Sequence, residues 1–266
     1  MRPAATGLLL FAAALLPALS AAAPENAPTP EICIIIDDLG YRLHEDLTAA
    51  TLPGPLAFAI MPHTPHAVRI ARIATAGGKD VLLHLPMEAL QKQKNRLLGP
   101  GALTFDMSQE EFTKTLQDDL DSIPGVIGVN NHMGSLLTAH AGRMAWLMRS
   151  LRSAHKFYID SMTSRMSVAG DVAREMDVPF LKRDVFLDNR RDDRSIRAQF
   201  HELVRLARSR GRALAIGHPY PETLRVLETE LHRLDDYGVR LVSVRRMISE
   251  TPAVMARAGG SDTGPH

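Results

Sequence analysis

Short apolar runs alternate with longer amphipathic segments along most of the chain. The first run, residues 32–36, is continuously apolar and rich in isoleucine, as is typical of a strand covered on both faces. Comparable runs follow at residues 56–60, 81–85, 126–129, 157–159, 180–181, 185–187, 213–216 and 239–244. Strands that alternate with helical segments predict βαβ units, and therefore a parallel sheet.

The amphipathic segments between these runs predict helices. They cover residues 64–75, 108–122, 142–153, 167–175, 195–209 and 220–234. The second has the clearest start, because Ser108 can cap the helix while Glu110 and Glu111 place acids in its first turn.

Seven or eight strands in this alternation fit either a closed barrel or an open doubly wound sheet. The residues after the first strand argue against a dinucleotide site. A glycine-rich phosphate loop is expected there in such proteins, whereas this chain has Asp37-Asp38-Leu39-Gly40.

The N-terminal residues have the pattern of an export signal. Arg2 supplies a positive charge, residues 7–19 are apolar but short for a membrane span, and small residues follow at 20–23. We therefore predict a signal peptide over residues 1–23 and a periplasmic location. An uncleaved membrane anchor is the alternative interpretation.

The remaining boundaries follow from composition. Residues 24–30 contain three prolines and are predicted to form an extended linker. Residues 31–249 then form one domain, which the length of 266 residues allows. Apolar periodicity ends there, so residues 250–266 are predicted to be a disordered tail.

Composition excludes some functions and leaves others open. The net charge is +1, so charge gives no support for nucleic-acid binding, and aromatic residues make up only 5% of the chain. The single cysteine, Cys33, lies inside an apolar run, so we interpret it as a buried hydrophobic residue and not as a nucleophile.

Polar side chains follow the predicted strands at the point where each strand ends. The carboxyl ends of parallel strands meet at one face of the fold, so these side chains are expected to converge there. They are Asp37, Asp38, His84, Glu88, Asn130, Asn131, His132, Asp160, Asp184, Asp188 and His218.

Carboxylate and imidazole groups brought together in this way are typical of metal-assisted hydrolysis. Structural roles remain open for each residue at this point. Asp160 is also suited to capping the next segment, and Asp188 to pairing with nearby arginines. Glu88 is placed to orient a histidine, because Pro86 disfavours a helix that would carry His84 and Glu88 as a ligand pair. Arg183 suits either an anionic substrate group or a structural ion pair.

Six motifs occur in an order that resembles the divergent polysaccharide deacetylases, a distant branch of the NodB-like carbohydrate esterases. They are Ile34-Ile-Ile-Asp-Asp-Leu-Gly40, His84-Leu-Pro-Met-Glu88, Asn130-Asn-His-Met-Gly-Ser135, Ile159-Asp-Ser161, Arg183-Asp-Val-Phe-Leu-Asp188 and Gly217-His-Pro-Tyr-Pro221. The resemblance covers residues 31–248 and implies an α/β fold, an irregular (β/α) barrel of about seven parallel strands.

The resemblance also implies site roles. Asp37 matches the catalytic base and Asp38 a ligand of a divalent metal, with zinc expected. The His-x-x-x-His motif of the relatives is absent, so His84 and His132 are chosen as the remaining ligands, and His218 matches the general acid. Residues expected to orient these groups or contact substrate are Glu88, Asn131, Asp160, Arg183 and Asp188.

The function implied is a metal-dependent hydrolase that removes N-acetyl groups from an envelope polysaccharide or related amino sugar. No nucleic-acid partner is expected, and no membrane span after signal removal. One alternative is a non-catalytic periplasmic module that binds glycan or protein on the same barrel, which the missing motif and scarce aromatic residues favour. Another is a metal hydrolase acting on a different amide or ester.

Overall fold

The computed structural model describes residues 28–249. The predicted signal peptide, residues 24–27 of the predicted linker and the predicted tail lie outside the described residues. The strands are β1 (Glu31–Leu39), β2 (Ala57–Ile60), β3 (Asp80–Met87), β4 (Val126–Met133), β5 (Phe157–Asp160), β6 (Phe180–Lys182), β7 (Val185–Phe186), β8 (Arg212–Gly217) and β9 (Arg240–Leu241). The helices are α1 (Leu43–Thr51), α2 (Ala67–Ala76), α3 (Gln109–Ser122), α4 (Ala141–Ser153), α5 (Ala169–Glu175), α6 (Asp193–Arg210), α7 (Pro221–Leu231), α8 (Leu234–Tyr237) and α9 (Val244–Ser249).

All strand pairs in the single curled sheet are parallel. The order is β6-β5-β4-β3-β2-β1-β8-β7, and β9 adds to the start of β1. Since β7 and β9 are two residues long, seven strands of three residues or more build the sheet. The predicted irregular (β/α) barrel is confirmed.

The barrel is open between β6 and β7, which lie at opposite ends of the sheet although they are adjacent in the chain. Two residues, Arg183 and Asp184, cross this seam. The Arg183 amide donates to the Asp160 carbonyl at the end of β5, and the Asp184 amide donates to the Leu214 carbonyl in β8. One dipeptide therefore joins the two edges of the sheet.

Two apolar clusters form the core because strand side chains alternate between the two sides of the sheet. The larger cluster packs strands against the surrounding helices and includes Ile34, Phe58 and Leu83. The smaller fills the barrel interior and includes Cys33, Ile35, Ala59, Leu82, Ile159, Leu214 and Ile216.

Most predicted elements are present, with differences at their ends. The cap at Ser108 is a full capping box, in which the Ser108 hydroxyl accepts from the Glu111 amide and the Glu111 carboxylate accepts from the Ser108 amide. The helix α1 and the two short helices α8 and α9 were not predicted. The predicted strand over 239–244 is shorter, because Val242 and Val244 pack into the interior cluster and α9 begins at Val244.

Within residues 28–249, no helix has both the length and the apolar character needed to cross a membrane.

Candidate metal centre and active site

Alternation along the strands brings a set of polar side chains into the barrel interior. Ile35, Leu82 and Ile216 face inward. Two residues further along each strand lie Asp37, His84 and His218, close to the carboxyl end. The apolar interior therefore ends in an ionisable layer at the mouth of the barrel, where active sites of parallel barrels form.

The strand β4 supplies two more groups to this layer. Gly128 is in register with Leu82, and Asn130 with His84, so Gly128, Asn130 and His132 share the inward face. Asn130 is completely buried and His132 is partly buried.

Strand alternation would place the side chain of Asp38 on the outward face, but the backbone conformation of this residue turns the side chain toward the site. Its φ of 60° is in the left-handed region, and the register of β1 against β2 shifts between Ile36 and Leu39. Aspartate tolerates this conformation better than most residues. The turn is held by Asp46 of α1, whose carboxylate accepts from the Gly40 amide at 2.9 Å. Two consecutive carboxylates therefore face one site.

Three potential ligand atoms meet at this point. His84 Nε2 lies 3.1 Å from Asp38 Oδ1, and His132 Nδ1 lies 2.9 Å from the same oxygen. The two ring nitrogens are 3.2 Å apart. Zinc–nitrogen bonds of about 2.0–2.1 Å in a tetrahedral site separate ligand atoms by about 3.3 Å, so the triangle has the dimensions of a metal-binding face.

Hydrogen bonding leaves one corner of this triangle unsatisfied, although His132 Nδ1 and His84 Nε2 lie within hydrogen-bond distance of each other. Asp38 Oδ1 is buried and has no hydrogen bond of acceptable geometry, despite its short distances to His84 and His132. Buried polar atoms are normally satisfied, and one carboxylate and two imidazoles are the donor set that divalent zinc prefers. Asp38, His84 and His132 therefore fit a metal ion.

Asn130 links this face to the second aspartate. Its side-chain oxygen lies 2.9 Å from His84 Nδ1, and its amide nitrogen donates to Asp37 Oδ1 at 2.8 Å. The first contact favours the tautomer with a proton on Nδ1, which leaves His84 Nε2 free to bind a metal. The second contact occupies Asp37 Oδ1 and leaves Asp37 Oδ2 without a bond to Asn130. One amide thus orients both a ligand and an acid.

His218 is positioned by Asp188. Asp188 Oδ1 lies 2.9 Å from His218 Nδ1, while Asp188 Oδ2 accepts from the His218 backbone amide at 2.6 Å and from the Thr223 hydroxyl at 2.9 Å. The opposite ring atom, His218 Nε2, lies 3.7 Å from Asp38 Oδ2. Asp188 pairs with this histidine and not with the arginines considered from the sequence.

The two aspartates differ in their affinity for protons. Burial raises the pKa of Asp37, although His84, His218 and Asn130 oppose it. Burial also opposes ionisation of Asp38, but the close approach of His132 and His84 holds its pKa well below the ordinary value. Such a split suits one carboxylate that stays ionised and one that exchanges a proton.

The histidines show the complementary effect. Burial lowers the pKa of His84, but the charges of Asp37 and Asp38 outweigh it and raise the pKa to about 9. Burial likewise opposes protonation of His218, and its contact with Asp188 together with nearby charges raises its pKa overall. The raised pKa favours the protonated form of His218, which suits a proton donor.

Two residues predicted near the site, Asn131 and Asp160, form their side-chain hydrogen bonds elsewhere. The Asn131 oxygen accepts from the Tyr158 hydroxyl and the Ser161 amide, on the outward face of β4. Asp160 accepts from the Met162 amide and the Ser167 hydroxyl, which matches its alternative role as a cap.

Glu88 does not orient a histidine through its carboxylate hydrogen bonds. Its carboxylate accepts from the Phe105 amide at 2.7 Å and the Asn95 side chain at 3.4 Å. Both partners belong to the long segment between β3 and α3. Because β3 continues extended through Pro86 to Met87, Glu88 lies beyond the strand and holds this segment in place.

A cleft of about 440 Å³ opens over the ionisable layer. Its walls include Asp37, His84, His132, Arg183, Phe186 and His218. Arg183 donates to the Ser161 and Met162 carbonyls and stacks over Phe186, with 4.6 Å from its guanidinium carbon to the ring centre. It therefore orders the wall of the cleft through carbonyl and aromatic contacts. The volume is within the range of small-molecule sites.

Two bacterial relatives, both described as uncharacterized proteins, match most of the domain. Protein YibQ of Escherichia coli K12 is 35% identical over 220 residues, which are 83% of this chain and 68% of YibQ. A protein of Haemophilus influenzae Rd is 36% identical over 214 residues, which are 80% of this chain and 75% of the relative.

Solved structures share the fold. An uncharacterized protein of Agrobacterium tumefaciens C58 matches with a TM-score of 0.80 and 22% identity, over 83% of this chain and 90% of that one. A variant of the peptidoglycan deacetylase PdaC of Bacillus subtilis matches with a TM-score of 0.50 and 12% identity, over 83% and 91%. The family model described as divergent polysaccharide deacetylase matches residues 34–248. The chain therefore belongs to the divergent polysaccharide deacetylase family.

Proposed function

We propose that this protein is a metal-dependent hydrolase that removes N-acetyl groups from an amino sugar of the cell-envelope glycan. Family membership supports a carbohydrate deacetylase. The observation that carries the proposal is the triangle of Asp38, His84 and His132 beside two further groups, Asp37 and His218, that suit acid–base roles.

A divalent ion held by Asp38, His84 and His132 would supply a Lewis acid for the acetyl oxygen and for water. Asp37 lies beside this site, with its Oδ2 3.7 Å from His84 Nε2. Its raised pKa suits a base that takes the proton of the attacking water. Because Asn130 holds Oδ1, the proton is received at Oδ2.

His218 completes the reaction from the other side of Asp38. Its Nδ1 is held by Asp188, so Nε2 faces the site and can give a proton to the departing nitrogen. Water and the amide are thereby converted to acetate and a free amine. The raised pKa of His218 favours the protonated form that this step requires.

The location is also a proposal. The pattern of residues 1–23 supports export, and an exported deacetylase would meet envelope glycans in the periplasm.

Acetate release from N-acetylglucosamine oligomers and peptidoglycan fragments tests the proposal. The zinc-loaded protein should release acetate, and Asp37→Asn should reduce the rate by about 10²–10⁴-fold because it removes the base. Metal content should remain near that of the unmodified protein, because Asp37 is outside the ligand set. The exposed Asp171→Asn is the matched control and should have full activity.

Two outcomes contradict the proposal in different ways. Bound metal without acetate release from any of these glycans would favour the non-catalytic module. Full activity in Asp37→Asn would remove this residue from the mechanism.

A further inference from the structure

Large apolar side chains that remain exposed lie on one face of the barrel. Within residues 28–249 they are Tyr41, Val68, Leu90, Leu97 and Met166, which are 45%, 43%, 67%, 72% and 74% exposed. Each lies in a segment that follows the carboxyl end of a strand, after β1, β2, β3, β3 and β5 respectively, or in the first turn of the next helix. These segments share the mouth face of a parallel barrel.

Basic residues accompany each of these apolar side chains. Arg42 follows Tyr41, Arg69 follows Val68, and Arg165 precedes Met166. In the segment after β3, Lys92, Lys94 and Arg96 lie between Leu90 and Leu97. All six of these basic side chains are exposed.

Acidic residues are missing from the same stretches. Residues 40–42, 61–69, 89–105 and 161–168 contain no aspartate or glutamate, although the whole chain has 30 acids and a net charge of only +1. Some cations on the flank of the barrel are paired with acids, as Arg205 is with Glu202 and Arg225 with Asp193. These four stretches therefore combine basic side chains, with no acid among them, and exposed apolar side chains.

We propose that the mouth face docks on an anionic lipid bilayer. Exposed leucine, methionine and tyrosine side chains gain by entering the headgroup region, and adjacent lysine and arginine side chains are attracted to anionic lipids. The surface, here called the mouth rim, is formed by the segments that carry Tyr41, Val68, Leu90, Leu97 and Met166. Docking does not depend on the proposed deacetylation.

The mouth rim lies next to the cleft above the metal site. Ala89, Gln91 and Lys94 of the rim segment after β3 also line the cleft above the metal site. A docked molecule would therefore hold this cleft at the membrane surface.

An environment-sensitive label in the full chain tests which face meets the lipid. Leu97→Cys carries an NBD fluorophore on the rim, and Ser153→Cys carries it at the exposed end of α4, on the opposite face. Cys33 does not compete for the label, since it is completely buried and burial raises its pKa. Vesicles consist of phosphatidylcholine with or without phosphatidylglycerol.

The NBD emission at position 97 should shift to the blue and increase with phosphatidylglycerol vesicles, and the emission at position 153 should not. Because each cation near an anionic surface contributes about fivefold to binding, replacing Lys92, Lys94 and Arg96 together by glutamine should weaken the response about 100-fold. Equal responses at both positions, or no response at position 97, would overturn the proposal. So would an equal response without phosphatidylglycerol, or a response only to a soluble anionic polysaccharide.

Discussion

Replacing Asp188 by asparagine should change the proton-binding behaviour of His218 without changing the shape of the site. Asp188 Oδ2 accepts from two donors, the His218 backbone amide and the Thr223 hydroxyl. In Asp188→Asn the amide oxygen must occupy that position. The amide nitrogen then faces His218 Nδ1 and donates to it, so the ring cannot take a proton there.

The expected loss of stability depends on pH. In the unmodified protein the raised pKa of His218 contributes stability that is fully present below about pH 6.5, the ordinary histidine pKa, and is lost as pH rises through the raised value. A charge-assisted hydrogen bond contributes about 1.5–3 kcal/mol and a neutral one about 1 kcal/mol. Asp188→Asn should therefore lower the free energy of unfolding by about 3 kcal/mol at about pH 5.5, and by about 1 kcal/mol at about pH 9.

Urea unfolding at the two pH values, with a chelator present, measures this difference, and the NMR signal of the His218 ring reports its pKa directly. Thr223→Val is the matched control, because it removes one hydrogen bond to the same carboxylate and leaves the proton equilibrium of His218 in place. Its cost should be about 1.5–3 kcal/mol, the value for a hydrogen bond to a charged group, and should be the same at both pH values. Equal losses for Asp188→Asn at both pH values, or a His218 pKa that stays raised, would refute the reasoning.

Three further changes have defined outcomes. Asn130→Leu should weaken zinc binding about 10–100-fold in a calorimetric titration, because His84 loses the partner that orients it. Gly101→Ala should cost about 3 kcal/mol in urea unfolding, because φ is +73° and the new Cβ would lie 2.0 Å from Asp119 Oδ1. Burial raises the pKa of Asp46 to about 6, so its contribution is full below about pH 3.9 and is lost as pH rises through about 6. Relative to the unmodified protein, Asp46→Asn should gain about 3 kcal/mol of unfolding free energy between about pH 4 and about pH 7.5.

Matched variants separate these effects from general damage. Asn189→Leu changes an exposed asparagine at the same cleft and should leave zinc affinity within about twofold. Gly78→Ala has φ of +71° but no atom within 4 Å of the new Cβ, so its cost should be only about 1 kcal/mol. Equal costs at Gly78 and Gly101 would show that backbone strain alone matters. An Asp46→Asn effect that does not vary with pH would contradict the role of its ionisation.

The sequence predicts the strands and shows that polar residues collect at their carboxyl ends. Which of these residues belong to the site depends on whether each side chain points into the barrel or away from it. Strand alternation places Asn130 with His132 on the inward face and Asn131 on the outward face. The sequence interpretation named both asparagines at the strand end but gave the role at the site to Asn131, and counting by two from His132 was the signal that favours Asn130. The same rule turns Asp160 away from the site, since Ile159 faces the interior.

Other features follow from contacts that a single strand pattern does not contain. Asp38 points inward only because its backbone is left-handed, and that conformation depends on Asp46 holding Gly40 from another element. Glu88 is paired with Asn95 and Phe105, which are brought back to it by the fold of a long segment. The orientations of Asp38 and Glu88 both depend on contacts with residues distant in the chain, which the periodicity of a single strand cannot predict.

At the seam between β6 and β7 the barrel is closed by the covalent chain and not by hydrogen bonds between two strands. A fully hydrogen-bonded barrel has a circumference fixed by its strand number and stagger, because widening it would break a complete ladder. Here the covalent backbone of Arg183 and Asp184 spans the seam, and their amides bond to β5 on one side and to β8 on the other. The spacing of β1, β3 and β4, which carry the metal-binding face, is set by the ladders that join them through β2 and does not depend on the seam.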